Sequence, residues 1–130
     1  MPVTPTPPSQ TPADGESPRL AFVTAAALAT ARFPRGKVDG IAVRELFEAA
    51  MTLTAQPHPR LVVDLGGVAL ATSGLMGILV QLHKRFVQSG GRLSIAVPDA
   101  RVRAAFEVAR LHQLLHLHAD PGAAARDALQ

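Results

Sequence analysis

His112, His116 and His118 lie in one seven-residue stretch and are the densest set of ligating side chains in the chain. Two imidazoles four residues apart on a helix share a face and can hold zinc. Here no acidic ligand follows at a known spacing, and the stretch Leu114 to His118 reads as extended chain, so these are read as surface or strand histidines. His58 lies between two prolines and His83 on a polar helix face; neither marks a site. No metal site is expected. The sequence has no cysteine, which removes thiolate zinc sites, disulfides and a cysteine nucleophile.

Phosphate chemistry and hydrolysis fare no better. Gly66, Gly67, Gly74 and Gly77 are not followed by the Gly-Lys-Ser/Thr of a phosphate loop, and their spacing is not a dinucleotide fingerprint. Asp64 is the only acid at the end of its strand, too little for a phosphoaspartate pocket. Ser73 stands in Thr-Ser-Gly, not Gly-x-Ser-x-Gly, and no histidine is placed as its base. No catalytic residue, cofactor or turnover is expected.

What remains is Ala71-Thr72-Ser73-Gly74-Leu75 at the start of an amphipathic helix. Thr72 or Ser73 is the N-cap, whose oxygen takes an orphan backbone N–H. A phosphate at the same place would meet free N–H groups and the positive end of the helix dipole. Phosphorylation adds roughly −1.5 to −2 charges at pH 7, enough to change docking without unfolding a domain.

The elements that position this motif follow from periodicity. Leu20 to Thr24 reads as a first strand. Leu28 to Phe33 alternates as a second, although the alanines from Ala25 to Ala31 fit a helix as well. After Asp39 and Gly40 comes a helix over 41–53, with Val43, Leu46, Phe47, Ala50 and Leu53 on one side. Leu61 to Leu65 is the clearest strand, and its continuous apolar run suits a central position buried on both faces. Val68-Ala69-Leu70 leads into the long helix, whose stripe is Leu75, Ile78, Leu79, Leu82 and Phe86. Gly90-Gly91 closes it. Leu93 to Val97 is a strand, Pro98-Asp99 opens a helix, Leu114 to His118 is a short strand, and Pro121 to Gln130 a last helix. Val62, Val63, Leu65, Leu79, Leu82, Ile95 and Phe106 are expected to form the central core. All five phenylalanines fall in apolar patterns and read as core. Such alternation implies an α/β domain with a largely parallel sheet.

Composition adds bounds. The chain has 130 residues, one domain's length, and 48% of them are hydrophobic. Residues 1–18 hold six of the eleven prolines and little to bury, which reads as a disordered tail. The net charge is only +3 and the basic residues are scattered. Arg101, Arg103 and Arg110 read as a solvated face, not a nucleic-acid stripe, which would be denser and interleaved with aromatics. No stretch supplies the about 20 apolar residues that a membrane span needs. The start lacks the layout of a signal peptide. A cysteine-free chain of this kind suits the cytoplasm.

The ordered set of motifs resembles a STAS domain. Leu-Val-Val-Asp-Leu-Gly-Gly-Val (61–68) is similar to the family's strand ending in Asp-Leu. Thr-Ser-Gly-Leu-Met-Gly-Ile-Leu-Val (72–80) resembles Asp-Ser-Ser-Gly-Leu opening a helix, and Gly-Gly-Arg-Leu-Ser-Ile-Ala-Val-Pro (90–98) the next strand. Gly36-Lys37-Val38-Asp39 resembles the family's Gly-Glu-Leu-Asp turn. The resemblance implies a single STAS-like α/β domain over 19–130, with a mixed, mostly parallel sheet of four to five strands and about four helices. It is nearest to bacterial anti-sigma-factor antagonists, which act by partner switching in transcription. In these, the second hydroxyl residue, here Ser73, is phosphorylated by an anti-sigma factor, a serine kinase of histidine-kinase-like fold using ATP and magnesium. A serine phosphatase resets the switch. The resemblance makes Ser73 the phosphoacceptor, with Thr72 as the alternative. It makes Asp39, Thr72, Ser73, Gly74 and Met76 the partner-binding face. It implies no direct contact with nucleic acid and no membrane insertion. Ala71, Ala42 and Arg110 depart from the family's usual Asp, Thr or Ser, and Gly, and mark a divergent member. Thr at position 72 also resembles the STAS accessory subunits of lipid-transport ABC complexes, the second expectation. A non-switching STAS scaffold is the third.

Overall fold

The apolar run Leu61-Val62-Val63 lies where such a run has to lie, in the middle of a sheet covered on both faces. The computed structural model describes residues 20–25 and 28–130, so the expected tail at 1–18 lies outside the described residues. The described residues begin with strands β1 (Ala21–Ala25), β2 (Leu28–Arg32) and β3 (Gly36–Lys37), then helix α1 (Gly40–Leu53). Strands β4 (Arg60–Asp64) and β5 (Val68–Leu70) lead to the long helix α2 (Ser73–Gln88). Strand β6 (Arg92–Ala96), helix α3 (Ala100–Val108), a 3-10 turn (Leu111–Gln113), strand β7 (His116–His118) and helix α4 (Pro121–Ala128) complete it.

The main sheet has the order β1-β2-β4-β6-β7. Only β1 and β2 pair antiparallel; the other pairings are parallel. This is an α/β fold with, among the described residues, a mixed, mostly parallel five-stranded sheet and four α-helices. Of the alanine-rich segment that also fitted a helix, Leu28 to Ala31 is strand, with Ala29 and Ala31 as its inward residues. Val68–Leu70, read only as a lead-in, is a strand. It forms a separate two-stranded strip with Gly36–Lys37.

Registers sort the side chains into two layers. Leu61 pairs with Leu93, and Val63 with Ile95, which pairs in turn with Leu117. This face packs under Leu46 of α1, Leu75, Leu79, Leu82 and Phe86 of α2, and Phe106 of α3. The opposite face presents Val62 and Ala96 to Ala124 and Ala128 of α4. All seven residues expected in the central core are buried. Of the phenylalanines, Phe33, Phe86 and Phe106 are buried, while Phe22 and Phe47 pack half-buried against the core.

The helix ends follow local chemistry. Asp39, Thr72, Asp99 and Asp120 each cap a helix by accepting a backbone N–H. Gly90, at φ +75, ends α2 in the left-handed region, and the N–H of Gly91 returns to Phe86 O at 2.7 Å. Gly91 must also be glycine because a Cβ there would stand 2.0 Å from the carbonyl oxygen of Pro59.

Candidate functional site

Two helices start side by side at one end of the molecule. The β3–β5 strip pairs Lys37 with Leu70 in parallel. Two residues beyond each, Asp39 caps α1 and Thr72 caps α2, and the two helices pack on one another. The strip thus brings Asp39 and the Thr72-Ser73-Gly74 motif to one surface.

Thr72 and Ser73 have separate roles there. Thr72 is extended, with ψ 159, and its Oγ1 accepts the N–H of Leu75 at 3.1 Å. Its carbonyl takes the first helical bond, from Met76 N at 3.0 Å. Ser73 is the first helical residue; it is exposed, and its hydroxyl has no hydrogen bond among the described residues. Gly74 is exposed beside it, while Met76 is half-buried and packs on the core. Within the first helical turn the cap leaves the backbone N–H groups of Ser73 and Gly74 without a helical partner. Asp39 is exposed, and its Oδ1 accepts the N–H of Ala42 at 2.8 Å. All five expected docking residues therefore fall in this region, four around the start of α2 and one on the neighbouring cap.

Two apolar residues near the caps escaped sequence reasoning. Ile41, in the first turn of α1, is 67% exposed, and Leu70, on β5, is 54% exposed. Ile41 carries a sequence signal, since it stands off the stripe of Val43, Leu46, Phe47 and Ala50. Leu70 carries none. Ala71 is at the limit of burial and places a methyl group where an acid would project.

Asp64 has a structural task. Its carboxylate is buried, accepting Gly66 N at 2.8 Å and Arg32 Nε at 3.1 Å, and so shapes the turn after β4. That turn borders a cleft of about 320 Å3 outside the strand ends, where parallel sheets commonly bind ligands. Its lining of Arg32, Phe33, Arg35, Asp64, Gly66, Gly67, Pro98 and Pro121 includes neither Thr72 nor Ser73.

The histidines do not converge. His112 is exposed on the 3-10 turn, the ring of His116 lies against His83, and His118 Nε2 is 3.0 Å from Asp127 Oδ2. Among the described residues no three ligating side chains gather as a metal site. His83, read from sequence as lying on a polar helix face, is half-buried, with an enclosed Nδ1. The edge of the sheet reaches it there, which helical periodicity does not report. Of the three arginines read as a solvated face, Arg101 and Arg110 are exposed, and Arg101 and Arg103 pair with Asp99 and Glu107. No described helix is long and apolar enough to cross a membrane.

The comparisons agree with this architecture. The chain is similar in structure to an anti-sigma-factor antagonist (STAS) domain protein from Planctomyces limnophilus, at TM-score 0.72 and 14% identity, over 86% of this chain and 99% of that one. It is similar to an anti-sigma factor antagonist from Mycobacterium paratuberculosis, at TM-score 0.67 and 18% identity, over 85% and 93%. The Bacillus cell fate determinant SpoIIAA in its phosphorylated form matches at TM-score 0.64 and 16% identity, over 82% and 97%. At these identities the likeness is one of fold. No curated protein sequence matches the chain. The profile of the family described as "Mlab, STAS domain" matches residues 35–116, well over half of the sequence. That stretch holds both caps, the β3–β5 strip and the Ser73 motif, and by it the chain belongs to the STAS domain family.

Proposed function

We propose that this STAS protein is an anti-sigma-factor antagonist that docks an anti-sigma factor through the surface around Asp39, Thr72, Ser73, Gly74 and Met76, with Ser73 as its switch. The observation that carries this reading is the division of tasks between adjacent hydroxyls: Thr72 holds the helix end, and Ser73 is exposed and unengaged among the described residues. A phosphate on Ser73 would meet the free N–H groups of the first turn and leave the cap intact. Its cost falls on the interface, where Ile41 and Leu70 supply apolar contact and a partner would have to accept new negative charge. The fold likeness to SpoIIAA holds in both its unphosphorylated and phosphorylated forms, which supports a modification borne without rebuilding the domain. In this reading the partner is a serine kinase of histidine-kinase-like fold, a phosphatase reverses the step in the cytoplasm, and the chain itself turns over no substrate.

One observation favours a second reading. The matching family profile is described as Mlab, STAS domain. Under that reading the chain is a STAS accessory subunit of a lipid-transport ABC complex, the same surface, centred on Thr72, docks another subunit of it, and Ser73 is not switched.

The test is to isolate the full chain with its partner from native cells, identify the partner, and map phosphate by mass spectrometry. The first reading expects an anti-sigma kinase, phosphate on Ser73, and Ser73→Asp binding about a hundredfold more weakly, the equivalent of ~2.8 kcal/mol. A transporter subunit as partner, no modification of Ser73 and full-strength binding by Ser73→Asp would establish the second.

A further inference from the structure

His83 projects from the C-terminal half of α2, away from Ser73, onto the edge of the sheet. Its ring meets that of His116 in β7 edge to face, with centroids 5.6 Å apart and planes at 61°. Its Nδ1 is enclosed and has no hydrogen-bond partner among the described residues. Beside the two rings, Arg92 of β6 donates to Asp127 Oδ1 of α4, from Nε at 3.1 Å and Nη2 at 2.6 Å. Ser94 Oγ donates to the other oxygen of Asp127 at 2.6 Å, and His118 Nε2 lies 3.0 Å from it. The charged and titratable groups facing the imidazole pair are thus Arg92 from β6, His118 from β7 and Asp127 from α4.

This enclosure suits neutral rings. A neutral imidazole has one N–H and one lone pair, and a lone pair without a donor is a modest cost. Protonation makes the Nδ1 of His83 a charged donor with nothing described to receive it, a far larger cost in a buried place. A proton on His116 adds a second cation beside Arg92. The nearby acid, Asp127, attracts that charge, but Arg92, Ser94 and His118 already hold its oxygens. Burial, then His116 and Arg92, lower the pKa of His83 below the ordinary histidine value. Burial and Arg92 lower that of His116, with a smaller contribution from His118, against the opposing pull of Asp127.

We propose that the His83–His116 contact is a proton-operated joint between α2 and the edge strand β7, closed while both rings are neutral and loosened when they take up protons. The sign follows from linkage. An unfolded chain binds these protons near the ordinary value of about 6.5, and the folded chain only at lower pH. Stability is therefore level above about pH 6.5 and falls as the pH drops from there through the folded values. Ser73 lies at the other end of α2, and the joint does not rest on its being a switch.

The full chain tests this by NMR titration of the imidazole carbons, together with hydrogen exchange of the β7 amides corrected for intrinsic rate. Both rings are expected to titrate below a histidine in an unstructured peptide. Protection in β7 is expected to fall about tenfold or more between about pH 7.5 and about pH 5, one decade for each unit of lowered pKa. The double variant His83→Gln/His116→Gln should lose most of that fall, and His112→Gln, on the exposed turn, should keep it. Either ring titrating at or above the peptide value overturns the joint, as does a double variant that keeps the whole pH dependence. If the double variant does not fold, titration of the parent decides.

Discussion

Asp39 and Thr72 stand at matching positions: each lies two residues beyond the Lys37–Leu70 pairing, and each caps the helix that follows. A strip of five residues thereby fixes where two helices begin. The proposed docking surface is built on backbone pairing and two side-chain caps, not on a loop free to wander. Ser73 sits on this frame without being part of it.

That separation can be measured. Thr72→Ala and Asp39→Ala should each lower stability by about 1 kcal/mol, the usual cost of a lost N-cap. Ser73→Ala should stay within about 0.5 kcal/mol of the parent, as exposed substitutions do. Urea denaturation of the three variants checks this, and a Ser73→Ala loss as large as that of Thr72→Ala would show that the hydroxyls share the cap.

Leu79 is fully buried between α2 and the sheet. Leu79→Ala should cost about 2–5 kcal/mol, the methyl groups removed plus the cavity left behind. Thermal or chemical denaturation reads it directly.

Arg110 occupies the left-handed region, with φ 61 and ψ 23, and its side chain is exposed. Only glycine adopts that conformation without a steric cost. Arg110→Gly should therefore raise stability by about 0.5–1 kcal/mol with an unchanged denaturant slope. His58 has φ 52, but its Nδ1 bonds Gly90 O at 3.0 Å, so His58→Gly should gain less.

Asp127 is expected to contribute to the acid limb. Burial works to raise its pKa, but hydrogen bonds from Arg92, Ser94 and His118 overcome it and hold the carboxyl well below the usual range. A carboxyl depressed in the folded state contributes stability that is complete above its unfolded value of about 3.9 and is lost as the pH falls below it. Asp127→Asn should cost at least about 1.5 kcal/mol at neutral pH, the low end for hydrogen bonds to a charged group. It should also flatten the acid limb below about pH 4, a window apart from the histidine one. Denaturant midpoints at a series of pH values show both effects.

Much of this fold was legible because one periodicity governs each long element. Leu61 to Leu65 had no pattern but burial, and α2 had a stripe that could face only one way. The β3–β5 strip was not legible: Val68-Ala69-Leu70 buries only its first residue, and its partner is two residues long. The hydroxyl motif could be found in sequence, but not which residue caps, since Thr and Ser cap almost equally well. The extended backbone at Thr72 settles it. His83 looked like surface because helical spacing records neighbours along a helix and not the strand edge that registry brings to it.

The back of the sheet is packed mostly by small side chains: Val62, Ala96, Ala124 and Ala128 are buried there, with Leu28 and Ala125 partly buried against them. So thin an apolar seam withdraws little area from water. The C-terminal helix must then owe its place to directed bonds: the carboxylate of Asp127, and the guanidinium of Arg60 reaching the carbonyl oxygens of Ala128 and Gln130. Contacts of that kind fail together over a short displacement. A helix held in this way is expected to open at a free energy below that of global unfolding, which hydrogen exchange of the α4 amides would show. Lifting it would uncover Val62, Ala96 and the half-buried Leu28, a small apolar patch.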